Sequence, residues 1–424
     1  MKPTLVVIGG GASGFFCAIN AAKLQPNLNI IILEKNNKLL SKVKISGGGR
    51  CNVTHDCFQI AELITHYPRG TNFVKKTFHW FNPNHTVEWF QSRGIQLHTE
   101  TDGRMFPTTN TSQSIIDCFL SEANRHQIHI ITNAEVKNIV RVNDGFALST
   151  SIPRSTVLDL QLNYSNEQQT LLADVVCVAV GGYPKKTQFS WLEALGHTIQ
   201  LPVPSLFTFN IPKHPITSLM GIAVPKVQVK VIASKLKTEG PLLITHWGLS
   251  GPAILKLSSI GARHFSLSNY HFTISINWLN DTSEEALRQQ WLILRSQLAH
   301  QKMGNKNPFH LPSRLWEFLL HHSQVDANKQ WANCTSKEQN LLITALTNFQ
   351  LNVQGKTTFK EEFVTCGGIS LNEINPNTME SKLLQNLYFT GEVLDIDGVT
   401  GGFNFQNAWT TGWIAAQAIA SKVI

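Results

Sequence analysis

Gly9, Gly11 and Gly14 fall in the spacing G-x-G-x-x-G, between a short apolar run (Leu5 to Ile8) and a helical stretch from Phe15 to about Leu24. A dinucleotide pyrophosphate needs backbone N–H groups at a helix N-terminus and glycines that let the chain come close. Pro26-Asn27 breaks the helix, and Asn29 to Glu34 is a second buried run. Glu34 ends it 20 residues after Gly14, where a carboxylate accepts hydrogen bonds from a ribose diol. Gly9, Gly11, Ala12, Ser13 and Gly14 are therefore expected at the pyrophosphate, and Glu34 and Lys35 at the adenosine ribose. The bland alternative is a tight turn without a ligand.

Two further glycine clusters follow. Ser46-Gly47-Gly48-Gly49-Arg50-Cys51-Asn52 comes after a loop carrying Lys35, Lys38, Lys42 and Lys44. Three consecutive glycines between polar residues fit backbone laid against a flat ring, or a merely flexible loop. Near the other end stand Thr390-Gly391-Glu392 and then Gly401-Gly402-Phe403-Asn404, opening a last helix. A helix N-terminus aimed at a flavin pyrimidine ring stabilises the anion formed on reduction by up to ~2 kcal/mol. Arg50 suits a pyrophosphate or an anionic substrate, against a local salt bridge.

His246, in a Gly/Ser/Pro-rich turn, is a candidate acid–base. The competing reading is a structural histidine, one of 16 in the chain. Asp395 and Asp397 read as caps of local turns. Cys51 and Cys57 have five residues between them in loop-like sequence, so Cys51 reads as a small packing residue rather than half of a redox disulfide. No Gly-x-Ser-x-Gly elbow follows a suitable strand.

The elements that must position these residues alternate as strand, helix and strand. Helical patterns cover 85–94 and 112–126, and strands cover Ile128 to Thr132, Val136 to Val142 and Asp174 to Val180, the last followed by Gly181-Gly182. Residues 146–172 alternate as an antiparallel ribbon does. After about residue 195, prolines punctuate alternating stretches that suit an antiparallel sheet or barrel. Three helical patterns fill 283–350, and the final 65 residues regain α/β character.

The chain has 424 residues, 42% hydrophobic, which supports two to three cores. Its formal charge of +8 is scattered, with no run of five or six like charges. Nucleic acid is therefore not the expected partner, and a cationic surface around an anionic small ligand fits equally well. Seven dispersed cysteines without a C-x-x-C pair suit a reducing cytoplasm. There is no signal-type h-region and no apolar stretch of about 18 residues, so no membrane is expected. A dedicated NAD(P)H unit with a second G-x-G-x-x-G is not visible.

Several long motifs resemble the BaiN-type bacterial NAD(P)/FAD-dependent oxidoreductases. They are Lys44 to Thr54, Gly103-Arg104-Met105-Phe106-Pro107, Thr245 to Pro252, and the block from Thr378 through Gly391-Glu392-Val393-Leu394-Asp395 to Gln406. The resemblance implies an α/β fold: a glutathione-reductase-like FAD-binding Rossmann domain from both chain ends (1–195 and 355–424). Between them it implies an inserted antiparallel β-barrel-like domain (196–280 and 350–355) and a small helical domain (281–349). It also implies non-covalent FAD, with NAD(P)H a possible transient donor, and two-electron hydride transfer through flavin N5 to a small organic substrate. Ser46 to Asn52, Gly391-Glu392 and Gly402 to Asn404 would surround the ribityl chain and ring. Lys42, Val136, Ala179, Gly181 and Gly182 complete the expected contacts. The alternatives are a flavoprotein acting on tRNA and a flavin-binding protein without turnover. Residues 183–191 depart from the family, which carries a Gly-Ser-Thr-Gly-Asp-Gly-Tyr-like stretch there.

Overall fold

Leu5-Val6-Val7-Ile8 has no polar side chain because the strand Thr4–Ile8 is covered on both faces. The computed structural model describes residues 2–143, 145–153, 156, 164–165, 170–357 and 364–422. Thr4–Ile8 lies at the centre of a five-stranded sheet. The strand order is Leu387–Phe389, Val175–Val178, Thr4–Ile8, Asn29–Leu33, His129–Ile131. All neighbours are parallel. The chain's last strand thus pairs beside its first, so both ends build one sheet. From the central strand the chain steps to Asn29–Leu33 on one side and only later returns to Val175–Val178 on the other; open α/β sheets leave a crevice for a ligand at such a reversal.

Helix Ala12–Leu24 is buried from Ser13 to Ala22 and packs against the final helix, Phe403–Lys422. Two glycines permit this. A methyl group on Gly14 would lie 2.1 Å from the Gly9 carbonyl oxygen, and one on Gly412 would lie 2.8 Å from the Ser13 carbonyl oxygen. Around the crossing, Phe16 meets Trp89 and Trp409 at ring-centroid distances of 4.6 and 5.4 Å, and Phe119 meets Trp409 at 5.5 Å. The helices expected at 85–94 and 112–126 are Pro83–Gln91, capped by Asn82 with Pro83 in its first turn, and Ser112–Arg125, capped by Thr111. Strands Val136–Val142, Gly145–Thr150, Thr170–Ala173 and Tyr164–Ser165 form an antiparallel sheet. Of the ribbon expected at 146–172, residues 154–155, 157–163 and 166–169 lie outside the described residues, and 151–153 are not strand. Strand Ile199–Ser205 pairs antiparallel with Val364–Ile369 and groups with this first unit, residues 1–205 and 360–424.

Leu206–Phe359 is a second compact unit with its own core. Its sheet runs Phe349–Gln354, His271–Asn277, Ala223–Val231, Lys237–Ile244, Gly248–Ser250, Thr208–Asn210, Lys356–Thr357, antiparallel throughout. Helices Glu284–Gln297, Ser313–His322 and Ser336–Thr347 share that core through Trp291, Trp316 and Leu346, against Ile274, Ile276 and Phe349. No helix among the described residues is long and apolar enough to cross a membrane.

One buried cluster imitates a hydrolase triad. His197 Nε2 meets Ser381 Oγ at 3.1 Å, and its Nδ1 meets Glu373 at 3.2 Å. Ser381 Oγ already accepts from the Leu383 and Leu384 amides, and His197 is 2% exposed. The trio therefore staples two segments together and has no access to a substrate.

Replacing Gly412 with Leu should overpack the helix crossing and destabilise the protein by about 1–3 kcal/mol. A melting temperature unchanged from wild type would contradict the close approach. A second expectation concerns acid. Burial lowers the proton affinity of His197 below its ordinary 6.5, with Glu373 pulling the other way, and hydrogen bonds lower that of Glu373 against its burial. The unfolded chain then binds protons that the folded one refuses, so this stability is present above about pH 6.5 and is lost as the pH falls. Urea unfolding at pH 7.5 and 5.5 should show a smaller drop for His197→Gln than for wild type.

Candidate cofactor site

The turn Gly9 to Gly14 joins the central strand to its helix so tightly that most of it is packed. Gly9 has φ 116°, and a methyl group on it would lie 2.3 Å from the Ala179 carbonyl oxygen. Ala179 itself donates its amide to Ile8, fixing the end of the neighbouring strand. Gly11 differs, because a side chain there would meet nothing within 4 Å. It caps helix Ala12–Leu24 without any side-chain hydrogen bond. The first-turn amides therefore face open space at a positive helix end, which is the chemistry an anionic pyrophosphate requires.

The other expected segments converge on this end. Leu40 donates its amide to the Gly10 carbonyl, which brings the lysine-rich loop alongside. Lys42 pairs with Glu392, whose other oxygen accepts the Thr365 amide at 2.8 Å. Gly391 sits so close to Ser13 that a methyl group would lie 2.5 Å from its hydroxyl, and Ser13 donates that hydroxyl to the Thr390 carbonyl. Gly182 is pressed against Thr365 and Glu392, and a side chain on Gly181 would approach only Glu392, at 3.9 Å. Glu34 accepts from the Gly10 and Asn36 amides, both at 2.9 Å, so its carboxylate is pre-oriented beside the turn.

Ser46 to Asn52 is a kinked helix end. Gly47 and Gly48 have φ of 58° and 69°, and Cys51 is left-handed at 64°. Gly47 packs on Phe106, Gly48 opens on empty space, and Gly49 has only the Lys44 carbonyl within reach, at 4.0 Å. Asn52 ties this segment to the final helix: its oxygen accepts from the Gly402 amide and its nitrogen donates to the Thr54 carbonyl, both at 2.9 Å. Phe403 is buried, and Asn404 bonds both backbone groups of Gly398. Burial pushes the Cys51 thiol up to about 12, and every cysteine is free, so Cys51 is a packing residue. Two buried oxygens with no protein partner, Thr365 Oγ1 and Asn407 Oδ1, belong to the same segments. The open glycines, the uncapped helix end and these orphaned oxygens fit a long dinucleotide with polar groups along its length.

Several residues sit differently from expectation. Arg50 pairs with Glu100 at 2.6 Å and lies over Phe106, so its charge is matched within the protein. Asp397 does not cap a local turn. It is fully buried, bonded by Arg69 and Ser205, and burial raises its proton affinity against the pull of Arg69. Val136 begins the strand Val136–Val142 and is half-buried. His246 is exposed in the turn after Lys237–Ile244 of the second unit, edge-on to Trp247. The segment 183–191 places Tyr183 beneath Lys35 and against Phe189. The Gln406 side chain, bonded to Thr54, Thr86 and Thr410, had no local signal because its partners lie up to 352 residues away.

Fold and site together define a Rossmann-type flavoprotein oxidoreductase with FAD as cofactor. The model of the HI0933-like protein Rossmann domain matches residues 3–418, and the chain belongs to that family. It is 28% identical to the ribosomal RNA dihydrouridine synthase of Escherichia coli, over 98% of both chains. It is 25% identical to the 3-dehydro-bile acid delta(4,6)-reductase of Clostridium scindens, again over 98% of both. Among solved structures, a flavocytochrome c3 fumarate reductase aligns over all of this chain and 79% of its own, with TM-score 0.49 and 15% identity.

Gly11→Val should fold, because the added side chain enters open space, yet lose FAD by more than about tenfold as that space is the pyrophosphate's. Flavin absorbance per folded chain is the readout, and full FAD content would remove the assignment. Glu34→Ala should likewise give a colourless protein.

Proposed function

We propose that this protein adds two hydrogens across a carbon–carbon double bond conjugated to a carbonyl, and that its substrate is a uridine of RNA. Two relatives of equal coverage bear names with this one chemistry in common. Dihydrouridine is uridine hydrogenated at C5 and C6, beside the C4 carbonyl, and a 3-dehydro-delta(4,6) bile acid is a conjugated dienone. In uridine the hydride goes to the β carbon, C6, and the proton to the α carbon, C5; in the dienone the hydride goes to the β or the δ carbon and the proton to the alkene carbon beside it. Bound FAD, once reduced by a nicotinamide-type donor, supplies the hydride. Within the chain, Gly11 and the following amides hold the pyrophosphate, Glu34 the ribose, and Lys42 and Glu392 the polar middle of the cofactor.

The observation that carries the choice of RNA is the distribution of charge. Residues 206–359 hold 15 Lys and Arg against 7 Asp and Glu, while the remaining residues hold 21 of each. The whole excess of +8 therefore belongs to the second unit. In its hairpin Ala223–Val231 and Lys237–Ile244, Lys230 stands directly opposite Lys237, and Lys226 and Lys235 are exposed on the same hairpin. Directly opposed like charges destabilise a strand pair. Such a pair suits an anionic partner, and phosphate backbones supply one without demanding a continuous basic run.

The test is anaerobic. Holoprotein reduced with NADPH or NADH should be reoxidised by ribosomal RNA, and digestion should reveal dihydrouridine, two mass units heavier than uridine. Rapid reoxidation by a steroid dienone with none by RNA would assign the small-molecule reading instead. Lys230→Glu with Lys237→Glu should weaken RNA binding and flatten its salt dependence by up to about 0.9 per lysine removed from a phosphate. An unchanged salt slope would exclude this hairpin as the RNA contact.

A further inference from the structure

The segment 57–66 gathers three metal-ligating side chains that neither the cofactor site nor the proposed reaction uses. One ligand atom each from Cys57, Glu62 and His66 lies within 4.8 Å of the other two. The local fold explains the convergence. Glu62 sits in the helical turn Ile60–Leu63, which continues as a 3-10 turn, Ile64–His66. Four residues apart on continuous helical backbone, Glu62 and His66 share a face. Cys57 precedes the turn at its buried end, 3% exposed, whereas Glu62 is exposed. Neither the Cys57 thiol nor the Glu62 carboxylate makes a side-chain hydrogen bond among the described residues.

We propose that Cys57, Glu62 and His66 bind a divalent cation of the zinc class. Sulfur, imidazole nitrogen and carboxylate oxygen together form the donor set of a borderline-soft tetrahedral ion. A thiolate and a carboxylate neutralise a 2+ charge, so the occupied site carries no net charge to bury. Tetrahedral bonds of about 2.0–2.3 Å put ligand atoms about 3.3–3.8 Å apart, so the set closes by roughly 1 Å when the ion enters. The thiol proton leaves to solvent on binding. Three protein ligands leave a fourth position for water, and the exposed Glu62 side gives the ion a way in.

The site is also anchored. The His66 ring stacks on Phe403, with centroids 4.2 Å apart and planes 12° from parallel. The His66 carbonyl accepts the Val399 amide at 2.9 Å, and the Tyr67 hydroxyl donates to the Phe403 carbonyl at 2.6 Å. A bound ion would thus clamp segment 57–66 onto the start of the final helix. This inference stands apart from the choice of substrate, and its test reads metal rather than turnover.

FAD-loaded, tag-free protein, equilibrated with micromolar zinc and desalted, should retain about one zinc per chain by mass spectrometry, as a three-ligand site with a thiolate does. Loaded with cobalt instead, it should show a thiolate-to-cobalt charge-transfer band in the near ultraviolet. Cys57→Ser, nearly isosteric, should abolish that band. Glu62→Gln, at an exposed position, should weaken zinc at least about tenfold in competition with a chelating dye. Circular dichroism and flavin content should stay unchanged in both. Wild-type protein that holds no zinc and shows no cobalt band, or variants that bind as wild type does, would overturn the proposal.

Discussion

Helix Ala12–Leu24 is gripped by backbone on two sides, and most of the first unit depends on that grip. On one side the Gly9 carbonyl comes within 2.1 Å of where a Gly14 side chain would start, and on the other Gly412 admits the Ser13 carbonyl. The first contact fixes the helix end above the central strand, so the amide groups of its opening turn point past Gly11 into open space. The second brings the 20-residue helix Phe403–Lys422 against the first helix, which delivers Gly391, Glu392 and Gly402 to the same neighbourhood. Small residues are required at both contacts because two backbones cannot close to this distance around a side chain. A chain whose ends must meet to complete one site therefore spends glycine where the ends touch.

The polar interior follows from the same closure. Joining distant segments buries groups that each segment alone would leave in water, and they must be paired. Gln406 answers Thr54, Thr86 and Thr410, and the Trp409 indole donates to the Val53 carbonyl at 2.9 Å. Asp397, fully buried, is held by Arg69 and Ser205. Removing one partner of such a pair leaves an uncompensated charge and costs about 3–5 kcal/mol. Thr365 Oγ1 and Asn407 Oδ1 lack protein partners. Their place among the glycine segments matches a ligand that brings its own polar groups.

The glycine loops were legible in the sequence because their requirement is local. A tight turn, a close approach and a helix end leave a fixed spacing, seen at Gly9, Gly11 and Gly14 and again at Ser46 to Asn52. The hydrophobic runs were legible for a similar reason, since a strand covered on both faces cannot alternate. Pairings such as Arg69 with Asp397 leave no such trace, because 328 residues separate the partners and Asp397 reads as the cap of a local turn. Arg50 looked like an anion ligand for the converse reason: Glu100, which matches its charge, is 50 residues away. The Cys57, Glu62 and His66 spacing was present in the chain, but only the 3-10 continuation past Leu63 turns it into one face.

Charge shows how far a count differs from a map. Along the sequence the lysines look dispersed, and +8 over 424 residues is unremarkable. Divided at residues 206 and 359, the same charges become a neutral unit and a strongly cationic one. The neutral unit carries its own counter-charges, as Lys42 with Glu392 and Arg50 with Glu100 show. The segment 183–191 packs within the neutral unit beside the end of its second strand. Tyr183 packs beneath Lys35, and burial raises its phenol to about 12, with Glu34 and Glu135 adding to the rise against a Trp191 hydrogen bond. The kinked glycines of Ser46 to Asn52, and the Gly402 amide bound to Asn52, lie on a different segment. Variation at 183–191 therefore leaves the glycine segment and its Asn52 anchor untouched, while the net positive charge of the chain lies in the second unit.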